Sequence, residues 1–324
     1  MTSAMVALAT SWGPPPLSAQ STPDPDQVTA ETVERWMDEL SNEGRWGDDD
    51  EKGTLNLITP RVSARAAALV EEGVSVSLSH DYVKEPAPDA TTVFEHEMMI
   101  SGGNFTSDRF GVAYHGYIHS HMDALCHNSW EGELYNGFTK EEVVQEAGCT
   151  RLDITNAKQG IVTRGVLMDM ARLKGVEYVE PGTPIYVEDL EAWEAETGIR
   201  VRPGDVVLVR AGRWARRAAE GPFQAGSEAV GLHASVAPWL HARGVAMIGS
   251  DYVNDVSPSG IEGVNLPIHQ LTLVAMGMPL FDNLDLEALA RVAAEQERWE
   301  FMLVAAPLAV PGGTGSPLNP LAVF

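Results

Sequence analysis

The sequence contains few of the residues that mark several large classes of protein. Cysteine occurs only at Cys126 and Cys149 among 324 residues, which is too few for a disulfide framework and typical of a reducing cytoplasm. Lysine and arginine number 22 against 46 aspartates and glutamates, so the formal charge is −24. Because this charge repels phosphate backbones and anionic membranes, we expect neither nucleic acid nor a membrane surface as a partner.

Two further absences concern membrane spans and nucleotide cofactors. The sequence has no run of the roughly 18 to 20 apolar residues that cross a bilayer, and no Gly-x-Gly-x-x-Gly turn or phosphate-binding loop. Segment 1–27 is rich in proline and has no basic residue before its short apolar run, so we expect a loose leader and not a secretory signal. Segment 28–324 has neither a repeat nor a clear linker, which predicts one domain.

Strand-like and helix-like segments alternate along this domain. Short apolar or alternating runs predict strands at 74–78, 91–100, 110–118, 161–168, 205–209, 245–248 and 301–305. Amphipathic spacing with start and stop residues predicts helices at 29–40, 59–73, 187–197, 233–243, 266–276 and 286–297. The mixture predicts an α/β domain whose central sheet is flanked by helices.

The densest chemical feature is a histidine-rich segment near residue 120. Four of the nine histidines lie between His115 and His127. If the segment begins as a strand, His119, His121 and Asp123 share one face, because alternate strand residues point the same way. Two imidazoles and a carboxylate on one face predict a site for Zn²⁺, Mn²⁺ or Fe²⁺.

One strand cannot complete such a site, so distant donors are required. His269, in a predicted helix, and Asp282, after a strand-like run, are the best candidates. Asp255 and its neighbours follow the predicted strand 245–248, at the carboxyl end where ligand sites of α/β sheets open. We expect His115 to be structural and Cys126 to be a small buried side chain beside the site.

These residues resemble the cyclase superfamily, metal-dependent hydrolases that include bacterial kynurenine formamidase and isatin hydrolase. The superfamily motif His-x-Gly-Thr-His-x-Asp-x-x-x-His corresponds to Tyr-Ile-His-Ser-His-Met-Asp-Ala-Leu-Cys-His at 117–127. Pieces resembling its longer branch lie at 45–56, 249–255, 268–269, 280–283 and 314–320. The resemblance implies a single domain of the swivelling β/β/α type, with a mixed sheet or barrel-like core flanked by helices.

The resemblance also implies roles for individual residues. It makes His121, Asp123, His269 and Asp282 ligands of a divalent metal, Mn²⁺ or Zn²⁺, and His127 the proton donor and acceptor. The late carboxylate of the family is usually glutamate, so Asp282 has a shorter reach. The predicted substrate-binding residues are Trp46, Asn56, Phe105 and Phe110, of which Trp46 resembles a pocket tryptophan of the family.

One position departs from the motif, because Tyr117 replaces its first histidine. A phenol is a poor ligand near neutral pH, since its proton leaves only near pH 10 or so. Either His119 substitutes as a ligand from two residues along, or the centre holds one metal and not two. We favour one metal.

The predicted reaction is hydrolysis of an amide or lactam C–N bond in a small substrate, aromatic substrates included. His127 would exchange protons with the attacking water and the leaving nitrogen. A metal-assisted lyase, dehydratase or cyclase is the alternative among enzymes, because the same histidine could take a proton from carbon. If the protein is not an enzyme, the alternative is a non-catalytic, metal-stabilised binding protein. The superfamily's habit predicts a homodimer or homotetramer, and the low cysteine content predicts a cytoplasmic location.

Overall fold

A curled, half-barrel β-sheet of nine strands forms the centre of the protein. The computed structural model describes residues 24–100 and 103–324. With strands numbered along the chain, those of the sheet lie side by side as β1 (Ser75–Ser77), β15 (Leu321–Val323), β13 (Glu300–Ala305), β7 (Ile161–Asp169), β9 (Val206–Arg210), β11 (Met247–Ser250), β12 (Leu280–Asp282), β4 (His121–Asp123) and β14 (Gly315–Pro317). Strands β7, β9, β11 and β12 are parallel, and the outer strands pair antiparallel.

Burial explains the strand sequences. Every residue of β9, Val-Val-Leu-Val-Arg, is buried, which is typical of a parallel strand covered on both faces. Strand β13 alternates instead, with Phe301, Leu303 and Ala305 in the core. Six further strands form small two-stranded sheets: β2 (Glu95–Ile100) with β3 (Thr106–Gly111), β5 (Val144–Gln145) with β6 (Gly148–Cys149), and β8 (Pro184–Ile185) with β10 (Gly231–Leu232).

Helices pack around the sheet. They are α1 (Ala30–Glu39), α2 (Pro60–Ala67), α3 (Lys140–Val143), α4 (Met170–Leu173), α5 (Val187–Thr197), α6 (Arg213–Glu220), α7 (Ala237–Arg243), α8 (Pro267–His269) and α9 (Glu287–Gln296). Thr29 caps α1 as its sequence predicts, since its hydroxyl accepts the N–H of Thr32. Helix α8 continues as a π-helix, Gln270–Met276. None of the described helices is long and apolar enough to span a bilayer.

The predicted fold class is confirmed, and most predicted elements are found. The strand predicted at 110–118 is wrong, because β3 ends at Gly111 and the chain then runs irregularly to Ser120. Gly116 has a φ of 146°, which a strand does not accommodate. Helix α6 occupies a segment in which no helix was predicted. Of the predicted leader, residues 1–23 lie outside the described residues, and Pro25–Gln27 form a 3₁₀ turn.

The two cysteines correct a second expectation. Cys126 and Cys149 form a disulfide with their Cα atoms 6.6 Å apart, so Cys126 is buried but not a free thiol. The pairing brings the residue before His127 to β6, across a separation of 23 residues. Residues distant in sequence came together here, which spacing alone does not reveal.

Gly53 lies against the backbone of Gly277, at the end of the π-helix. Its φ is 55°, and a Cβ there would overlap the carbonyl oxygen of Gly277, which ends the π-helix. We expect Gly53→Ala to lower the free energy of unfolding by about 2–4 kcal/mol, from left-handed strain plus the clash. Urea denaturation measures this. Gly44→Ala is the control, because Gly44 has a φ of 67° and open space, and should cost only about 1 kcal/mol. Equal losses would contradict the clash.

Candidate metal centre

Neighbouring strands place three polar side chains together. His121 and Asp123 are alternate residues of β4 and point to the same face. Strand β12 pairs antiparallel with β4 and sets Asp282 directly opposite His121. All three are buried, and their ligand atoms lie within 4.8 Å of one another. The sheet register therefore assembles a donor group from two strands, β4 and β12, that are far apart in sequence.

A second buried histidine, His269, joins His121 at the centre. Both present the same ring nitrogen, Nε2, to it. Nδ1 of His121 donates to the carbonyl oxygen of His119 at 2.7 Å, which leaves Nε2 facing Asp123 at 3.4 Å. Nδ1 of His269 lies 2.5 Å from Oδ2 of Asp255 and donates to it. Nε2 of His269 then faces Asp282 at 3.4 Å. A hydrogen bond on Nδ1 fixes the tautomer in which Nε2 is free to bind a metal.

Asn254 and Asp255, which follow β11 in the chain, hold the metal donors in place. Backbone N–H groups of Ile268 and His269 donate to the carboxylate of Asp255, which seats the start of α8. Nδ2 of Asn254 donates to Oδ1 of Asp282 at 2.6 Å and leaves Oδ2 toward the histidines. Burial, opposed by His269, raises the pKa of Asp255. These contacts orient the donors without being donors themselves.

Asp123 is the hub of the centre. Oδ1 lies 3.0 Å from Nδ1 of His115, and Oδ2 lies 3.6 Å from Nε2 of His269 and 3.7 Å from Nε2 of His127. None of these contacts has hydrogen-bond alignment, so both carboxylate oxygens are buried without a donor among the described residues. Burial alone would raise the pKa of Asp123, but His115, His127 and His121 outweigh burial and lower it.

His115 and His127 form a second layer on the open side of Asp123. Their rings stack in parallel with centroids 3.8 Å apart, and each side chain is 29% exposed. Together with Asp123 they make another group of donor atoms within 4.8 Å. Burial, together with the nearby His115, lowers the pKa of His127 to about 4 despite the attraction of Asp123. Two stacked rings at this distance cannot both carry charge cheaply, and the lowered pKa of His127 leaves its ring neutral near pH 7.

The donor set fits a divalent cation. Imidazole nitrogens and carboxylate oxygens are ligands that Zn²⁺ and Mn²⁺ accept. Within the described residues, the ion-pair partners of Asp123, Asp255 and Asp282 are all histidines. Burial would lower the pKa of His269, but Asp282 and Asp255 raise it well above its usual value. The carboxylates thus attract positive charge to a place where, among the described residues, both oxygens of Asp123 lack a hydrogen-bond donor.

Comparison with known proteins identifies the family. Residues 74–254, more than half of the chain, match the model of the Cyclase family, described as "Putative cyclase". A crystal structure described as a novel cyclase is 32% identical and has a TM-score of 0.77, with 88% of this chain and 98% of that chain covered. The chain belongs to the cyclase family. No curated protein matches it.

Other solved structures share the cyclase fold at lower identity. Isatin hydrolase A from Labrenzia aggregata, bound to benzyl benzoate, is 21% identical with a TM-score of 0.55, and the match covers 81% of this chain and 96% of that chain. Isatin hydrolase A from Ralstonia solanacearum is 21% identical with a TM-score of 0.55, covering 82% and 97%. At this identity the likeness shows the fold alone.

The structure brings together most, but not all, of the predicted metal ligands of this cyclase. His121, Asp123, His269 and Asp282 meet at the centre, whereas His119 does not join either donor group among the described residues. Nε2 of His119 contacts the carbonyl oxygen of Thr92, and its ring packs against Tyr82. His119 precedes β4, so the strand alternation that predicted a shared face does not extend to it.

The predicted substrate-binding residues make contacts of their own. Phe105 and Phe110 lie on the β2–β3 hairpin and are 83% and 58% exposed. Trp46 packs under the guanidinium of Arg45. Nδ2 of Asn56 donates to Asp50 and to the carbonyl oxygen of Gly53, so it stabilises its own turn. None of these four predicted residues lines the cavity described below.

His115 is the residue that sequence reasoning undervalued. It was predicted to be structural, yet it contacts Asp123 and stacks on His127. Gly116 turns the chain so that His115 folds back over β4, and Gly315 leaves room for its ring, since a Cβ there would lie 3.1 Å from Cε1. The adjacent glycine in a histidine-rich segment was the available signal for a break in the strand.

Proposed function

We propose that this cyclase is a metal-dependent hydrolase that cleaves an amide or lactam C–N bond. The observation that carries the proposal is the hub carboxylate of Asp123, buried without a donor among four histidines. His115, His127 and His121 already favour the charged form of Asp123, and a bound cation would give its two oxygens the direct partner that they lack. His121, Asp123, His269 and Asp282 would hold one divalent ion, Mn²⁺ or Zn²⁺.

The ion would act as a Lewis acid that polarises the substrate carbonyl and makes water acidic enough to supply hydroxide near pH 7. The remaining work falls to this chain's side chains. His127 stands outside the buried donors, is partly exposed and has a pKa lowered to about 4, so it is neutral and ready to accept a proton. Asp123, 3.7 Å away, would stabilise the imidazolium that results. His127 would then donate this proton to the leaving nitrogen.

His115 would take the place that the family motif gives to position 117. It lies two residues earlier in the chain, but its Nδ1 reaches Asp123 at 3.0 Å. Stacking on His127 holds the plane of that ring, so His115 would orient the proton carrier. It would occupy that place as an orienting residue, and not as the substitute metal ligand that the sequence suggested for His119.

Metal analysis and solvent labelling test the proposal together. Purified protein loaded with Mn²⁺ or Zn²⁺ should contain one ion per chain after gel filtration, and chelation should abolish turnover of small formamides and lactams. Two ions per chain would place a second ion at His115, Asp123 and His127, the other donor group. Hydrolysis must incorporate oxygen from heavy-oxygen water into the product. Turnover without incorporation would indicate a lyase or cyclase, and binding without turnover a non-catalytic protein.

A further inference from the structure

A cavity of about 640 Å³ lies beside the metal centre. Tyr117, Gly226 and residues between 253 and 266 line it. Its volume is within the range of about 300–1,000 Å³ that small-molecule pockets occupy. Asp255 is one of its lining residues and also holds His269, so the cavity and the donor group share a wall.

Buried side chains fix the backbone of Tyr117 at the edge of this cavity. The guanidinium of Arg213, which is fully buried, donates to the carbonyl oxygen of Tyr117 and to Oδ1 of Asn283. Nδ2 of Asn283 in turn donates to the carbonyl oxygen of Gly116 at 2.7 Å. Two consecutive carbonyl groups are thus clamped, and the Tyr117 side chain is held in the cavity wall instead of at the metal centre.

Gly226 makes room for the ring of Tyr117. A Cβ at position 226 would lie 2.6 Å from Cζ and 2.7 Å from Cε2 of Tyr117, closer than carbon atoms can approach. Tyr117 is 42% exposed, so its ring and hydroxyl are accessible to a ligand. A phenol offers both an apolar face and a hydrogen-bonding group, which suits recognition of a small polar ring or amide.

The charge of the cavity limits its ligands. Its charged lining residues are both acidic, Asp255 and Glu262. Glu262 is exposed, so it acts on an approaching ligand through solvent and is sensitive to salt. A carboxylate on the ligand would meet repulsion here and find no basic partner in the wall.

We propose, resting on the hydrolase function above, that this cavity is the substrate pocket, with Tyr117 as a contact residue for substrates that are uncharged or cationic. The residue that departs from the family motif thereby serves substrate binding and not metal binding. The hydrogen bonds from Arg213 and Asn283 hold position 117 in the cavity wall, where its side chain can bind substrate and not metal.

A double-mutant cycle on Tyr117 and Gly226 tests the contact. Formanilide is the probe, with its dissociation constant measured by NMR titration and its hydrolysis by initial rates. Tyr117→Ala and Gly226→Ala should each raise the dissociation constant and KM about tenfold, about 1.4 kcal/mol, with metal content unchanged. The double variant should bind formanilide no more weakly than either single variant, because Gly226→Ala acts by displacing the Tyr117 ring. Tyr186→Phe, a tyrosine of the α5 cap, is the control.

A charge series tests the ligand class. 4-Formamidobenzoate differs from formanilide by one carboxylate, and at low salt it should bind wild-type protein about tenfold more weakly. Glu262→Lys should reduce the ratio of the two dissociation constants, 4-formamidobenzoate over formanilide, at least threefold. The control Glu295→Lys changes an exposed residue of α9 and should leave this ratio unchanged.

The outcomes separate the two proposals. Normal affinity for formanilide in both single variants, with normal metal content, would overturn the pocket while leaving hydrolysis intact. Failure of formanilide to bind wild-type protein would also overturn it. Binding that follows the predicted cycle without any turnover would support the pocket and contradict the hydrolase function.

Discussion

Asp123→Asn should abolish both metal binding and turnover. The amide keeps the size of the carboxylate but removes the charge that faces His115, His127 and His269, and an amide nitrogen cannot ligate a cation. We expect the metal content to fall below about 0.1 ion per chain and kcat/KM to fall by at least about 10³-fold, because no other side chain in the described part of the chain joins both donor groups. Elemental analysis and initial rates measure these values.

The fold of this variant should survive. Because His115, His127 and His121 lower the pKa of Asp123, its charge stabilises the metal-free fold, so we expect Asp123→Asn to lower the free energy of unfolding without metal by only about 1–3 kcal/mol. Asp108→Asn, in which a surface carboxylate that pairs with His96 loses the same charge, should change neither metal content nor rate. Full activity in Asp123→Asn would contradict the metal-centre assignment altogether.

His127→Ala should separate catalysis from metal binding. We expect kcat to fall by about 10²–10⁴-fold, the usual contribution of a general acid and base, while the metal content stays at that of the wild type. The reason is its position, since His127 is partly exposed and lies outside the buried group of His121, Asp123 and Asp282. Rates under saturating substrate and elemental analysis of the same sample provide the comparison.

A second histidine variant provides the control for that result. His96→Ala removes an exposed imidazole of the β2–β3 hairpin and should leave both readouts unchanged. If His127→Ala instead loses metal in step with activity, His127 is a ligand of the other donor group, and the proton carrier must be sought elsewhere. His115→Ala should lower kcat less than His127→Ala, because its proposed role is to orient.

Much of the fold followed from local sequence signals. The capping hydroxyl of Thr29, the continuous apolar run of β9 and the spacing of α5 each depend on neighbouring residues, and each is found as predicted. The strand predicted at 110–118 fails because an alternating pattern says nothing of the backbone angle at Gly116. Helix α6 was missed because its buried face consists of Arg213, Trp214 and Arg216, which do not read as an apolar stripe.

The histidine-rich segment alone predicted a metal centre that includes His121, Asp123 and His127. Their spacing within seven residues is a local property that sequence carries directly. The sequence offered His269 and Asp282 as distant candidates, and the tertiary structure decided that they reach the centre and that His115 does too. Asp282 arrives through the pairing of β12 with β4, and His115 through a turn. It also turned Tyr117 toward a cavity, because clamping by a buried arginine far along the chain is a non-local contact that no periodicity encodes.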